Sequence, residues 1–98
     1  MSNTNPKLRL LAKNKSKLDR ILVNSRRVKA IFTALLRDNL PDTASARFKE
    51  VRKKQISDCR ALVTRHEKFS SSEKTQKSIN DMDMDLLNFL KPYAKLGL

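Results

Sequence analysis

Apolar residues recur through the middle of the chain at helical rather than strand spacing. Leu18, Ile21, Leu22, Val28, Ile31, Phe32, Leu35 and Leu36 follow one another at intervals that place them on one side of an α-helix. Ser16 with Asp19 three residues later has the spacing of an N-terminal capping pair, so the pattern predicts a helix over residues 17–38. Asn39-Leu40-Pro41-Asp42 ends it, because proline lacks an amide donor and pushes the residue before it away from helical angles. Asp42 and Thr43 can then accept hydrogen bonds from the first amides of the next helix. A second stripe, Ala44, Phe48, Val51, Gln55, Cys59, Leu62, His66 and Phe69, widened by Ile56 and Val63, predicts a helix over 43–68. Lys49, Lys53, Arg60 and Glu67 occupy its opposite face. So short a link allows only an antiparallel helical hairpin.

Ser70-Ser71-Ser72-Glu73 interrupts the pattern, with Ser70 and Glu73 again at capping spacing, and a weak polar stretch follows to Asn80. Asp81, Asp83 and Asp85 are expected in the first turn of a shorter third helix over 80–91, where negative charge suits the helix dipole. Met82, Leu86, Phe89 and Leu90 give it an apolar side, and Lys91-Pro92 is expected to stop it. Residues 1–16 form a basic arm that is either flexible or an extension of the first helix. No internal repeat is present. The reading is an all-α chain, residues 1–98, forming a single helical domain: a hairpin with a shorter third helix.

Composition narrows the picture. At 98 residues only one modest core can form, and one Gly, three Pro and no Trp leave few turn formers for a protein of many short strands. The single cysteine, Cys59, cannot make an intrachain disulfide, which fits a reducing compartment or an organelle interior. No stretch approaches the roughly 18 to 20 apolar residues of a membrane span. Lys7, Arg9, Lys13, Lys15 and Lys17 interrupt any secretory apolar core, while their acid-free setting fits mitochondrial targeting or a phosphate-binding arm equally. The expected location is intracellular and mitochondrial.

Catalytic chemistry finds little support. Cys59 and His66 lie seven apart on one helical face, but both fall in the apolar stripe and nothing marks an orienting third group or oxyanion donors. One Cys and one His also fall short of the four ligands of a zinc site. Asp81-Met82-Asp83-Met84-Asp85 opens like a calcium loop, yet Leu86 stands where that motif needs Gly and Pro92 where it needs Glu. These acids read better as helix-start residues. No enzyme, metal or cofactor is expected.

Charge is the informative feature. The net charge is +12, and the first thirty-seven residues carry ten Lys and Arg against one acid, Asp19. Such a one-signed half attracts polyanions and makes binding steeply salt-dependent. Candidate phosphate contacts are Lys13, Lys17, Arg20, Arg26, Arg27 and Arg37 on the first helix, and Lys49, Arg52, Lys53, Lys54 and Arg60 on the second. Phe32, Phe48, Phe69 and Phe89 are all assigned to the core, leaving Tyr93 as the one spare ring. Stacking on single-stranded bases is therefore not expected, and phosphate contacts along structured RNA are.

Ile31-Phe32-Thr33-Ala34-Leu35-Leu36-Arg37 resembles the signature of the LYR-motif family of small basic mitochondrial proteins, departing from it at Thr33, where the family has arginine. The resemblance implies a three-helix domain that binds an acyl carrier protein and serves as subunit or assembly factor of a mitochondrial complex, with Arg37 meeting the carrier's acidic surface. The residues themselves favour a non-enzymatic subunit docking on RNA in a ribonucleoprotein such as a mitochondrial ribosome. The more neutral C-terminal third remains for contacts with other proteins of that complex.

Overall fold

The computed structural model describes residues 5–37, 41 and 43–94, which form four helices: α1 (Pro6–Lys13), α2 (Lys15–Arg37), α3 (Ala46–Ser71) and α4 (Gln76–Ala94). No strand occurs among the described residues. The antiparallel hairpin is α2 with α3, and α4 is the shorter third long helix. The basic arm is helical rather than flexible from Pro6 onward. Asn5 caps α1, its side-chain oxygen accepting from the Lys7 amide at 2.9 Å, and Pro6 takes the first helical position where its missing amide is harmless. Asn14 breaks the run with φ −106° and ψ 18°, but the Asn14 amide still reaches the Leu10 carbonyl (3.1 Å) and the Leu18 amide reaches the Asn14 carbonyl (2.8 Å). Helical hydrogen bonding thus carries α1 into α2. Ser16 consequently lies inside α2 and caps nothing, contrary to the Ser16–Asp19 expectation.

Four other boundaries differ from expectation. Ser45, not Asp42 or Thr43, caps α3 by accepting from the Phe48 amide at 3.2 Å; Asp42 itself lies outside the described residues, as do 38–40. α3 continues to Ser71, and the Lys74 ammonium closes its end by donating to the Phe69 carbonyl at 3.2 Å. Ser70 and Glu73 therefore start nothing. Thr75 and Ser78 cap α4 reciprocally, each backbone amide donating to the other's hydroxyl at 2.9 and 3.0 Å. Because α4 starts at Gln76 rather than near 80, Asp81, Asp83 and Asp85 sit beyond its first turn, and the helix-dipole reason for them falls away. Pro92 does not stop α4: standing in the last turn, it forfeits a single hydrogen bond where few remain to be made.

The core is the cluster Ile21, Val28, Leu62, Ile79, Met82 and Leu86, each 5% exposed or less, with Leu10, Leu18, Val63, Phe69, Phe89 and Leu90 packed against it. α2 packs along both α3 and α4. Polar contacts set the α2–α4 register: Asn14 with Gln76 (2.9 Å), the Lys17 ammonium donating to Asn80 (2.7 Å) and the Arg20 guanidinium forked onto Asp83 (2.9 and 2.5 Å). These partners are 62 or 63 positions apart, so α4 runs parallel to α2 and its last residue, Ala94, stands level with about Ile31. Beyond that level, among the described residues, only the α2–α3 hairpin continues. Leu86→Ala should lower the unfolding free energy by about 2 to 5 kcal/mol, as for a fully buried leucine. Met84→Ala, at a position 53% exposed, should stay within about 0.5 kcal/mol; urea titration measures both.

Candidate nucleic-acid interface

Acids and cations are sorted by the fold. Four ion pairs have both partners among the described residues: Lys7–Glu73 (3.4 Å), Arg20–Asp83 (2.5 Å), Arg65–Asp85 (2.8 Å) and Lys77–Asp81 (2.7 Å). Between them they engage each acid of the last thirty residues. Asp83 is buried, and its two-point bond holds the Arg20 guanidinium's pKa above its already high ordinary value. By contrast, residues 26–60 carry ten Lys and Arg against four Asp and Glu.

The candidate contacts separate accordingly. Lys17 and Arg20 are engaged inside the α2–α4 seam, so the fold itself accounts for them. Lys13 is exposed on α1, well removed along the rod from the hairpin end. Arg26, Arg27 and Arg37 are exposed on α2, and Lys49, Lys53, Lys54 and Arg60 are exposed on α3. Arg52 is half-buried, donating to the Leu35 carbonyl at 3.5 Å, and Arg60 lies over the Phe32 ring at 5.8 Å. These contacts tie α3 to the last turns of α2 and bring both cationic helices onto one projecting finger. Arg47, exposed in the first turn of α3, belongs with them although periodicity did not single it out.

The aromatic assignments change as well. Phe69 faces the Lys74 ammonium at 4.8 Å, and Tyr93, the supposed spare ring, is stacked on Phe89 with centroids 5.4 Å apart. Phe48, assigned to the core, is 59% exposed. Its stripe position is inward, but α4 does not reach that far and Phe48 is not part of the core cluster.

Cys59 is fully buried, and burial, with Asp58 second, pushes its thiol up to about 11. His66 is half-buried and held below its ordinary pKa, first by burial and then by Lys29. Neither state suits a thiolate nucleophile with a protonated partner. No group of three His, Cys, Asp or Glu among the described residues could hold a metal ion. Asp81, Asp83 and Asp85 face three different cations instead of one centre. No helix among the described residues is long and apolar enough to cross a membrane. In the LYR-like stretch, Ile31, Phe32 and Leu35 are half-buried, Leu36 and Arg37 are exposed, and the Thr33 hydroxyl donates back to the Lys29 carbonyl at 2.9 Å. No protein-family model, curated protein or solved structure matches the chain.

Cys59 should resist alkylation by iodoacetamide at about pH 8 in the folded protein and react readily once urea unfolds it, as expected for a buried, protonated thiol; rapid modification of the native form would contradict the burial. Because folding lowers the pKa of His66 beneath 6.5, the unfolded chain takes up the proton more readily. Stability present above that value is then lost as pH falls through the folded pKa. The thermal midpoint should drop between about pH 7 and about pH 5, and His66→Gln should flatten that step.

Proposed function

We propose that the protein is a non-enzymatic subunit of a ribonucleoprotein that docks the projecting end of its α2–α3 hairpin on structured RNA. One observation carries this reading: the acids of α4 are paired within the fold, while the hairpin end presents Arg37, Lys53 and Lys54 exposed and without ion pairs among the described residues, with Arg26 and Arg27 exposed lower on α2, level with the end of α4. Cations on two adjacent helices can neutralise successive phosphates, and release of condensed counterions then drives association. Lys49 and Arg60 flank the same surface.

A second surface supports contacts with other proteins of such an assembly. An open groove of about 440 Å³ lies between α2 and α4, with Met84 and Leu87 exposed along it and Arg27 and Lys91 at its edges. It lies nearer the base of the finger, so a protein neighbour there leaves the hairpin tip available to RNA.

Filter binding to a structured RNA at rising salt tests the reading. The affinity should fall linearly on a log–log plot, and the paired substitution Lys53→Gln with Lys54→Gln should reduce the magnitude of the slope by about 2 without moving the thermal midpoint. A flat salt dependence, or a slope unchanged in the variant, would remove this function.

A further inference from the structure

Phe48 stands seven, eleven and fourteen residues before Gln55, Cys59 and Leu62, so it shares the inward face of α3 with the core. It is nevertheless 59% exposed, Val51 one turn on is 52% exposed, and Leu36 on the facing helix is 52% exposed. Each other aromatic ring has a partner: Arg60 lies over Phe32, His66 and Lys74 flank Phe69, and Phe89 stacks on Tyr93. Among the described residues, Phe48 has neither a ring nor a cation against it. Its neighbours on α3 are mostly cationic, with Glu50 the exception. Arg47 precedes it, Arg52 follows one turn later and is anchored to the end of α2, and Arg37 closes that helix.

A flat ring in such a setting matches one feature of RNA in particular. Bases inside a duplex are already stacked, and the deep, narrow major groove of A-form RNA keeps side chains from their edges, whereas a bulged or looped nucleotide exposes both faces. Such a base gains stacking on the ring while the flanking phosphates meet Arg and Lys. A partner helix would need a longer apolar stripe than Phe48 and Val51, which Arg52 and Gln55 interrupt.

We propose that Phe48 is a stacking platform for one unpaired base of the RNA docked on the hairpin end, so that the protein selects bulged or looped RNA over uninterrupted duplex. This rests on the RNA-docking reading above and adds to it the class of RNA. It also departs from the sequence expectation that Phe48 belongs to the core, that Tyr93 is the one spare ring and that base stacking plays no part.

The test compares an RNA duplex carrying a single 2-aminopurine bulge with the same duplex unbulged, at several salt concentrations. The protein should bind the bulged RNA more tightly and quench its fluorescence. Phe48→Leu, which keeps apolar bulk without a π face, should weaken binding to the bulged RNA by about 5- to 100-fold and abolish quenching, leaving duplex affinity and salt slope unchanged. Phe48→Tyr should retain both. Equal, salt-dependent binding of both RNAs by wild type and Phe48→Leu overturns the stacking role while the docking reading stands. Salt-independent binding by the wild type overturns both. Loss of binding to anionic phospholipid vesicles in Phe48→Leu, with RNA binding untouched, would make the patch a membrane contact and equally end the proposal.

Discussion

Burial of apolar surface between α2 and α4 discriminates little against a slip of one helical turn, because Ile79, Met82 and Leu86 would meet apolar neighbours in either arrangement. Asn14, Lys17 and Arg20 do discriminate. A slip would cost the buried Asn14 amide its paired bonds to Gln76, leaving only its bond to the Leu10 carbonyl, and would part the buried Asp83 carboxylate from the Arg20 fork; an unsatisfied buried polar group costs about 1 to 3 kcal/mol, more when charged. No buried side-chain polar atom lacks a partner among the described residues. The polar seam therefore selects the register that the core alone leaves open, and through the register it sets how far along the hairpin α4 can extend.

That register has an electrostatic consequence. With α4 confined to the end of the hairpin nearest α1, its carboxylates lie beside Arg20, Arg65 and Lys77, as Glu73 just before it lies beside Lys7, and they cannot compensate the cations of the last turns of α2 or the first turns of α3. Most of these pairs are exposed and screened by water, so they add little to the stability of the fold. Their larger effect is on the surface: they offset the negative charge of one half of the rod and leave the other half with an excess of cations over its acids, Glu50 and Asp58 among them.

Periodicity was sufficient for what depends on one helix at a time. The stripes through Ile21 and Val28 and through Cys59 and Leu62 are core, and the hairpin between them follows from the short link around Pro41. Properties that depend on two helices at once were not legible. Arg20 reads as a phosphate contact, Asp83 as a helix-start acid and Asn14 as nothing in particular, because the bonds that join them across α2 and α4 show only when a partner some sixty residues away is in place. Phe48 fits its own stripe perfectly well and is exposed only because a different helix ends too soon. The same limit explains the caps: Ser16, Ser70 and Asp42 have suitable chemistry, but Asn14, Thr75 and Ser45 stand where the chain actually turns.

A two-helix finger is an unfavourable place for a concentration of like charge. Its apolar contacts are the half-buried Ile31, Phe32, Leu35 and Ile56, fewer than the three-helix part enjoys, so its local opening free energy lies below that of the core. Repulsion among its cations lowers that further. Both penalties are relieved together by a polyanion that lies across α2 and α3, since each phosphate neutralises a cation and the shared backbone of the ligand ties the two helices. A ligand that binds the folded finger and not the unfolded chain stabilises it in proportion to its occupancy. The two-helix part of the fold and its most cationic surface are thus the same residues.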